Sequence, residues 1–102
     1  MANNGYTKVS EITIQDLANY LRITELPSSD EQLLTSILEA AKNFVLSYTG
    51  QDLEAADTFP EFTIAVYVLS EDMYDKRTFS VDKTEANKVA ESILGLHSIN
   101  LL

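Results

Sequence analysis

The 102-residue chain has no cysteine and no tryptophan, a single histidine, three glycines and two prolines. Each absence removes a class of chemistry. Without cysteine there is no disulfide framework, no thiol nucleophile and no Cys-ligated zinc. One histidine, His97, excludes a multi-His metal cluster and a two-His acid–base pair within one chain. Three separated glycines make no phosphate-cradling loop. No apolar stretch approaches the roughly 20 residues that cross a bilayer; the longest is Ile64-Ala65-Val66-Tyr67-Val68-Leu69. The start, Met1 to Lys8, has no apolar signal core. Positive charge is scarce too: seven bases face sixteen acids, for a net charge of -9. Affinity for nucleic acid rests on clustered Lys and Arg, so a DNA-gripping surface is not expected, and neither is attachment to an anionic membrane.

What remains is an ordinary globular composition, 45% hydrophobic and 23% charged, in a chain that can bury roughly two-thirds of its unfolded surface. Residues 1–11 are polar and read as a flexible N-terminal arm, residues 12–95 as one helical domain, and residues 96–102 as an apolar C-terminal tail. Thr13 and Asp16 stand as a capping box before Ile14, Leu17, Ala18 and Leu21, one stripe of a short helix with Arg22 near its end. Ser28 and Glu31 are a second capping-box pair. They open a run of about 20 residues with Leu33, Leu34, Ile37, Leu38, Ala41, Phe44, Val45 and Tyr48 on its apolar stripe and Gly50 at its end. That helix, about 30 Å long, is expected to organise the fold. Gln51 to Thr58 reads as an acidic connector. Pro60 suits the first turn of a third helix reaching Arg77. On it, Phe62, Ala65, Val66, Leu69 and Met73 share one face, and Ile64, Tyr67, Val68 and Tyr74 a second, so burial on two sides is expected, the second by another subunit. A loop with exposed-looking Phe79 and Val81 precedes a fourth helix, Lys83 to Leu94, capped by Asp82 or Thr84 and ended by Gly95. The fold class expected is therefore all-α: a small bundle of about four helices with a long central second helix, a mobile N-terminal arm and a C-terminal tail.

No constellation converges on catalysis. Asp52, Glu54, Asp57 and Glu61 lack the spacing and central glycine of a calcium loop and read as a solvated acidic surface. His97 lies in an apolar tail without a nucleophile motif. The aromatics fall at helical spacing without interleaved bases, as core residues do. The reading is no enzyme, no metal and no cofactor.

Taken in order, Ile12-Thr13-Ile14, Leu17 and Tyr20-Leu21-Arg22-Ile23, then Asp30, Leu33-Leu34, Ile37, Ala40-Ala41, Phe44-Val45 and Tyr48-Thr49-Gly50, then Pro60 and an apolar helix ending Tyr74-x-x-Arg77, the chain resembles the small head–tail connector proteins of tailed bacteriophages over residues 12–77. After Arg77 the likeness thins. The resemblance implies a structural, all-helical adaptor or head-completion subunit in the virion at the head–tail interface, made in the host cytoplasm. It would assemble as a homo-oligomeric ring, dodecameric in the virion, contacting the portal and the next connector or tail protein, while DNA passes through without specific binding. On this reading Glu54, Asp57 and Glu61 are the candidate channel or rim acids. Ile64, Tyr67, Tyr74, Arg77, Phe79, Val81, Ile99 and Leu101 are the candidate subunit or portal contacts. The alternatives from other classes are a small acidic regulator that binds a partner helix and an acidic DNA mimic.

Overall fold

In the computed structural model, residues 7–78 and 80–94 are described, and they form an all-helical bundle. A 3-10 turn at Val9–Glu11 leads into α1 (Ile14–Tyr20), α2 (Ser28–Thr49), α3 (Leu53–Ala56), α4 (Pro60–Asp75) and α5 (Lys83–Val89), and a π turn, Ala90–Leu94, continues α5.

The helix ends follow local chemistry. At α1 the Thr13 hydroxyl accepts from the Asp16 N–H (3.1 Å) and the Asp16 carboxylate accepts from the Thr13 N–H (3.0 Å), the expected reciprocal box. At α2 the expected Ser28–Glu31 box is absent. The helix starts one residue earlier, with Pro27 as N-cap and its carbonyl accepting from Asp30 N–H (2.9 Å), and no side chain caps the turn. The extended φ and ψ of Pro27, -65° and 148°, place that carbonyl at the first intrahelical bond, and Ser28 is already inside the helix. Gly50 ends α2 in the left-handed conformation, φ 74°, and Pro60 opens α4. Asp82 accepts from the N–H groups of Thr84 (2.8 Å) and Glu85 (3.2 Å) and so caps α5. The acidic connector holds an unforeseen turn of helix, α3, because Asp52 accepts from the Ala55 N–H (2.8 Å).

The core lies chiefly between α2 and α4, the most extensively contacting pair, with α1 and the α5–π segment closing the sides. From α2 it takes Leu34, Ile37, Leu38, Ala41 and Val45; from α4 it takes Phe62, Ala65, Val66, Leu69 and Met73; Leu17, Ala18, Ala56, Val89 and Leu94 complete it. The two long helices are antiparallel, since Asp30 in the first turn of α2 accepts from the hydroxyl of Tyr74 in the last turn of α4 (3.3 Å). Full burial of side chains this large contributes about 1.5–3 kcal/mol each.

The N-terminal arm expected over residues 1–11 is corrected at its far end. Val9 is fully buried. Ser10 donates its N–H (2.9 Å) and its hydroxyl (2.6 Å) to the Asp57 carboxylate. The Thr63 hydroxyl, buried on α4, donates to the Thr7 carbonyl, and Lys42 Nζ donates to the Ile12 carbonyl (3.2 Å). A polar composition hid a single buried valine with a carboxylate clasp around it. Residues 1–6 and the whole expected tail, 96–102, lie outside the described residues.

Among the described residues, Ser70 Oγ is the buried side-chain polar atom without a partner. An unmade buried hydrogen bond costs about 1–3 kcal/mol. Ser70→Ala is therefore expected to raise unfolding free energy by about 1 kcal/mol. Phe62→Ala is expected to lower it by about 3–5 kcal/mol, and Thr13→Ala by about 1 kcal/mol. Denaturant unfolding of the three variants checks all three.

Candidate assembly surfaces

The surface of the bundle is where partners would meet it, and α4 shows how much of its apolar surface is closed. Its first face, Phe62, Ala65, Val66, Leu69 and Met73, is buried as expected. Its second face is covered in part from within the subunit. The Tyr20 ring of α1 stacks on Tyr67, centroids 4.7 Å apart and 13° between planes, and the Tyr20 hydroxyl donates to Glu71 (3.2 Å). Tyr74 is half-buried, its hydroxyl on Asp30, with the Arg77 guanidinium 4.3 Å over its ring and 3.7 Å from the same Asp30 carboxylate. Val68 sits in an open groove among Glu71, Asp72, Asp75 and Glu85. Ile64 alone of this face stands out, 54% exposed. Tyr67 and Tyr74 are thus partly covered by α1 and the helix ends of the same chain, an arrangement that helical periodicity cannot assign to one subunit or two.

The rest of the candidate contacts divide. Val81 is half-buried and packed against the core rather than held out on a loop. Phe79, Ile99 and Leu101, with His97, fall outside the described residues. Apolar surface that the sequence did not single out appears at Tyr20, Tyr48 and Leu53, each about two-fifths exposed; Tyr48 stacks on Phe44 one turn back (5.9 Å). The i, i+4 spacing of Phe44 and Tyr48 held the signal, but the stripe read as core throughout.

The three candidate channel acids have unlike surroundings. Asp57 is committed to Ser10 and binds the start of the domain to its middle. Glu61 lies in the first turn of α4, where the helix dipole favours a carboxylate. Glu54, in the first turn of α3, is exposed, with no hydrogen bond or ion pair among the described residues. Lysine is partly consumed: Lys76 pairs with Asp72 and Asp82, both at 3.1 Å, and those hydrogen bonds hold its ammonium above the usual lysine range. Hydrogen bonds from the Glu85 N–H and Lys76 hold Asp82 below the usual carboxylate range. Burial pushes Lys42 down, against the pull of Asp57 and Glu39. No group of three acids or histidines among the described residues is placed to hold a metal ion, and no helix among them is long and apolar enough to cross a membrane.

The stacked tyrosines carry a pH signature. Burial first, then the Glu71 carboxylate, raises Tyr20 above its ordinary 10.0, and burial with Asp16 raises Tyr67. A raised folded-state pKa means the fold prefers the neutral phenol. That contribution is complete below pH about 10 and is lost as pH rises through the folded value. Unfolding free energy should therefore fall above pH about 10 more steeply in the wild type than in Tyr20→Phe/Tyr67→Phe. Equal slopes in chemical denaturation at alkaline pH would contradict the stacking account.

Comparison with curated proteins and with solved structures found no match. The family model for the phage gp6-like head–tail connector protein matches residues 11–99, which takes in every element from α1 to the π turn after α5 and reaches past the stretch where the sequence likeness thinned. The chain belongs to the phage gp6-like head–tail connector family, and its surfaces are those of a structural part of the phage particle that works by contact with other head and tail proteins.

Proposed function

We propose that this subunit closes into a homo-oligomeric ring below the portal, dodecameric in the virion, that extends the DNA channel and offers a platform to the next connector or tail protein. The family match over residues 11–99 carries this reading. Two physical features support it. First, a conduit must let the duplex slide, and a net charge of -9 repels phosphate rather than trapping it. Glu54 and Glu61 are the acids proposed to face the lumen or rim; Asp57 contributes charge there while holding Ser10. Second, a closed ring needs two different complementary surfaces per subunit. Ile64 with the flanking Tyr67 edge is one proposed contact. The end of the bundle that holds Tyr74, Arg77 and Val81, together with Phe79, is another, and Ile99 and Leu101 are proposed to reach the neighbour or the portal.

The same acidity opposes assembly, because like charges meet at every seam, and salt screens that repulsion. Light scattering after size exclusion is expected to show monomer at low salt and a discrete mass near about twelve subunits at moderate salt. Rings that dissociate as salt rises would overturn this account of the charge. In phage carrying Glu54→Lys and Glu61→Lys, DNA packaging and ejection should slow. Unchanged rates would remove those acids from the channel wall.

A further inference from the structure

Helices α1 and α4 end in the same way. After α1 the Ile23 N–H donates to the Ala18 carbonyl (2.9 Å) and the Arg22 N–H to Asn19 (3.1 Å). After α4 the Thr78 N–H donates to Met73 (3.0 Å) and the Arg77 N–H to Tyr74 (3.1 Å). Both are Schellman closures, which require a left-handed residue at the position just past the helix. That residue is Arg22, φ 64°, in one and Arg77, φ 53°, in the other. Glycine takes this conformation without a Cβ clash, and α2 of the same chain ends on Gly50 at φ 74°. The two arginines are the only ones in the sequence, and both occupy places where glycine fits the backbone better.

Arg77 has a visible use inside the subunit, on the Tyr74 ring and the Asp30 carboxylate. Arg22 has none: it is exposed, and its side chain makes no hydrogen bond, ion pair or ring contact among the described residues. Both stand at one end of the bundle, where α1 and α4 finish and α2 begins. Arg22 thus combines a strained backbone with a cation that is exposed and unpartnered among the described residues, and such strain is kept where function uses it.

We propose that Arg22 clamps a carboxylate on a second copy of this chain. The inference rests on the assembly reading and adds to it a named contact. The turn that carries Arg22 is closed by two backbone hydrogen bonds and anchored by Ile23, which packs against the core. The guanidinium therefore leaves a backbone that is already fixed, and binding costs only the freedom of the side chain itself. A neighbouring copy offers sixteen acids against seven bases, and of those bases Lys42, Lys76 and Arg77 are already engaged within the subunit. Between subunits of this charge a cation facing an acid removes repulsion and fixes register, and guanidinium binds carboxylate through two parallel hydrogen bonds that lysine cannot reproduce. DNA phosphate is the competing anion, and the acidic surroundings disfavour it.

The 102-residue chain tests this in four forms: wild type, Arg22→Gly, Arg22→Lys and Arg77→Gly. Thermal midpoints of dilute protein, sedimentation across concentration at moderate salt, and anisotropy of a labelled 30-base-pair duplex are read for each. Arg22→Gly should raise the thermal midpoint by roughly 4 °C and shift the assembly midpoint to about tenfold higher concentration. Arg22→Lys should recover only part of the assembly. Arg77→Gly should gain less in midpoint, because it also loses Tyr74 and Asp30. Arg22→Gly that assembles as the wild type does overturns the clamp and leaves the ring reading standing. Loss of duplex binding with normal assembly overturns it in favour of phosphate, and a lowered midpoint overturns the strain argument. A wild type that stays monomeric at every salt and concentration overturns the ring reading and the clamp together.

Discussion

Everything else in the subunit depends on the antiparallel contact of α2 and α4. A 22-residue helix and a 16-residue helix bury Leu34, Ile37, Ala41 and Val45 against Phe62, Ala65, Val66, Leu69 and Met73. Neither would persist alone in water, because helical stability in proteins comes mostly from packing an amphipathic face. Once they are paired, the remaining elements have a surface to cover. α1 lays Tyr20 over Tyr67, the α5–π segment adds Val89 and Leu94, and the 3-10 turn tucks Val9 beneath.

The polar contacts act at the ends of this pair rather than along it. At one end Asp30 gathers the Tyr74 hydroxyl and the Arg77 guanidinium. At the other Asp57 gathers Ser10, and Thr63 holds the Thr7 carbonyl. These are long-range bonds between segments that packing has already brought close. Each contributes modestly, about 0.5–1.5 kcal/mol, yet they decide where the chain enters and leaves the bundle. An assembling subunit needs its edges in a defined place more than it needs extra stability, since its partners read those edges. A net charge of -9 leaves few cations to spend on contacts with partners, so the placing of each arginine carries weight.

The periodicity of Leu33 to Tyr48 and of Phe62 to Met73 made both long helices, the all-α class and most of the core legible before any coordinates, because helix faces repeat every 3.6 residues whatever they pack against. Thr13 with Asp16, Gly50, Pro60 and Asp82 announced four helix ends, since capping is settled within a few residues. The ordered signature from Ile12 to Arg77 also carried the family, which the match over residues 11–99 shows. Tertiary structure decided the rest. It brought Tyr20 over Tyr67 and Asp30 to Tyr74 on the second face of α4. It started α2 at Ser28 and turned Asp30 toward α4. It buried Val9 and spent Asp57 on Ser10, forty-seven residues away in sequence, and it put both arginines in left-handed turns. None of these leaves a periodic trace, because each depends on which distant segment arrives at a given surface, and a local pattern of residues holds no information about that.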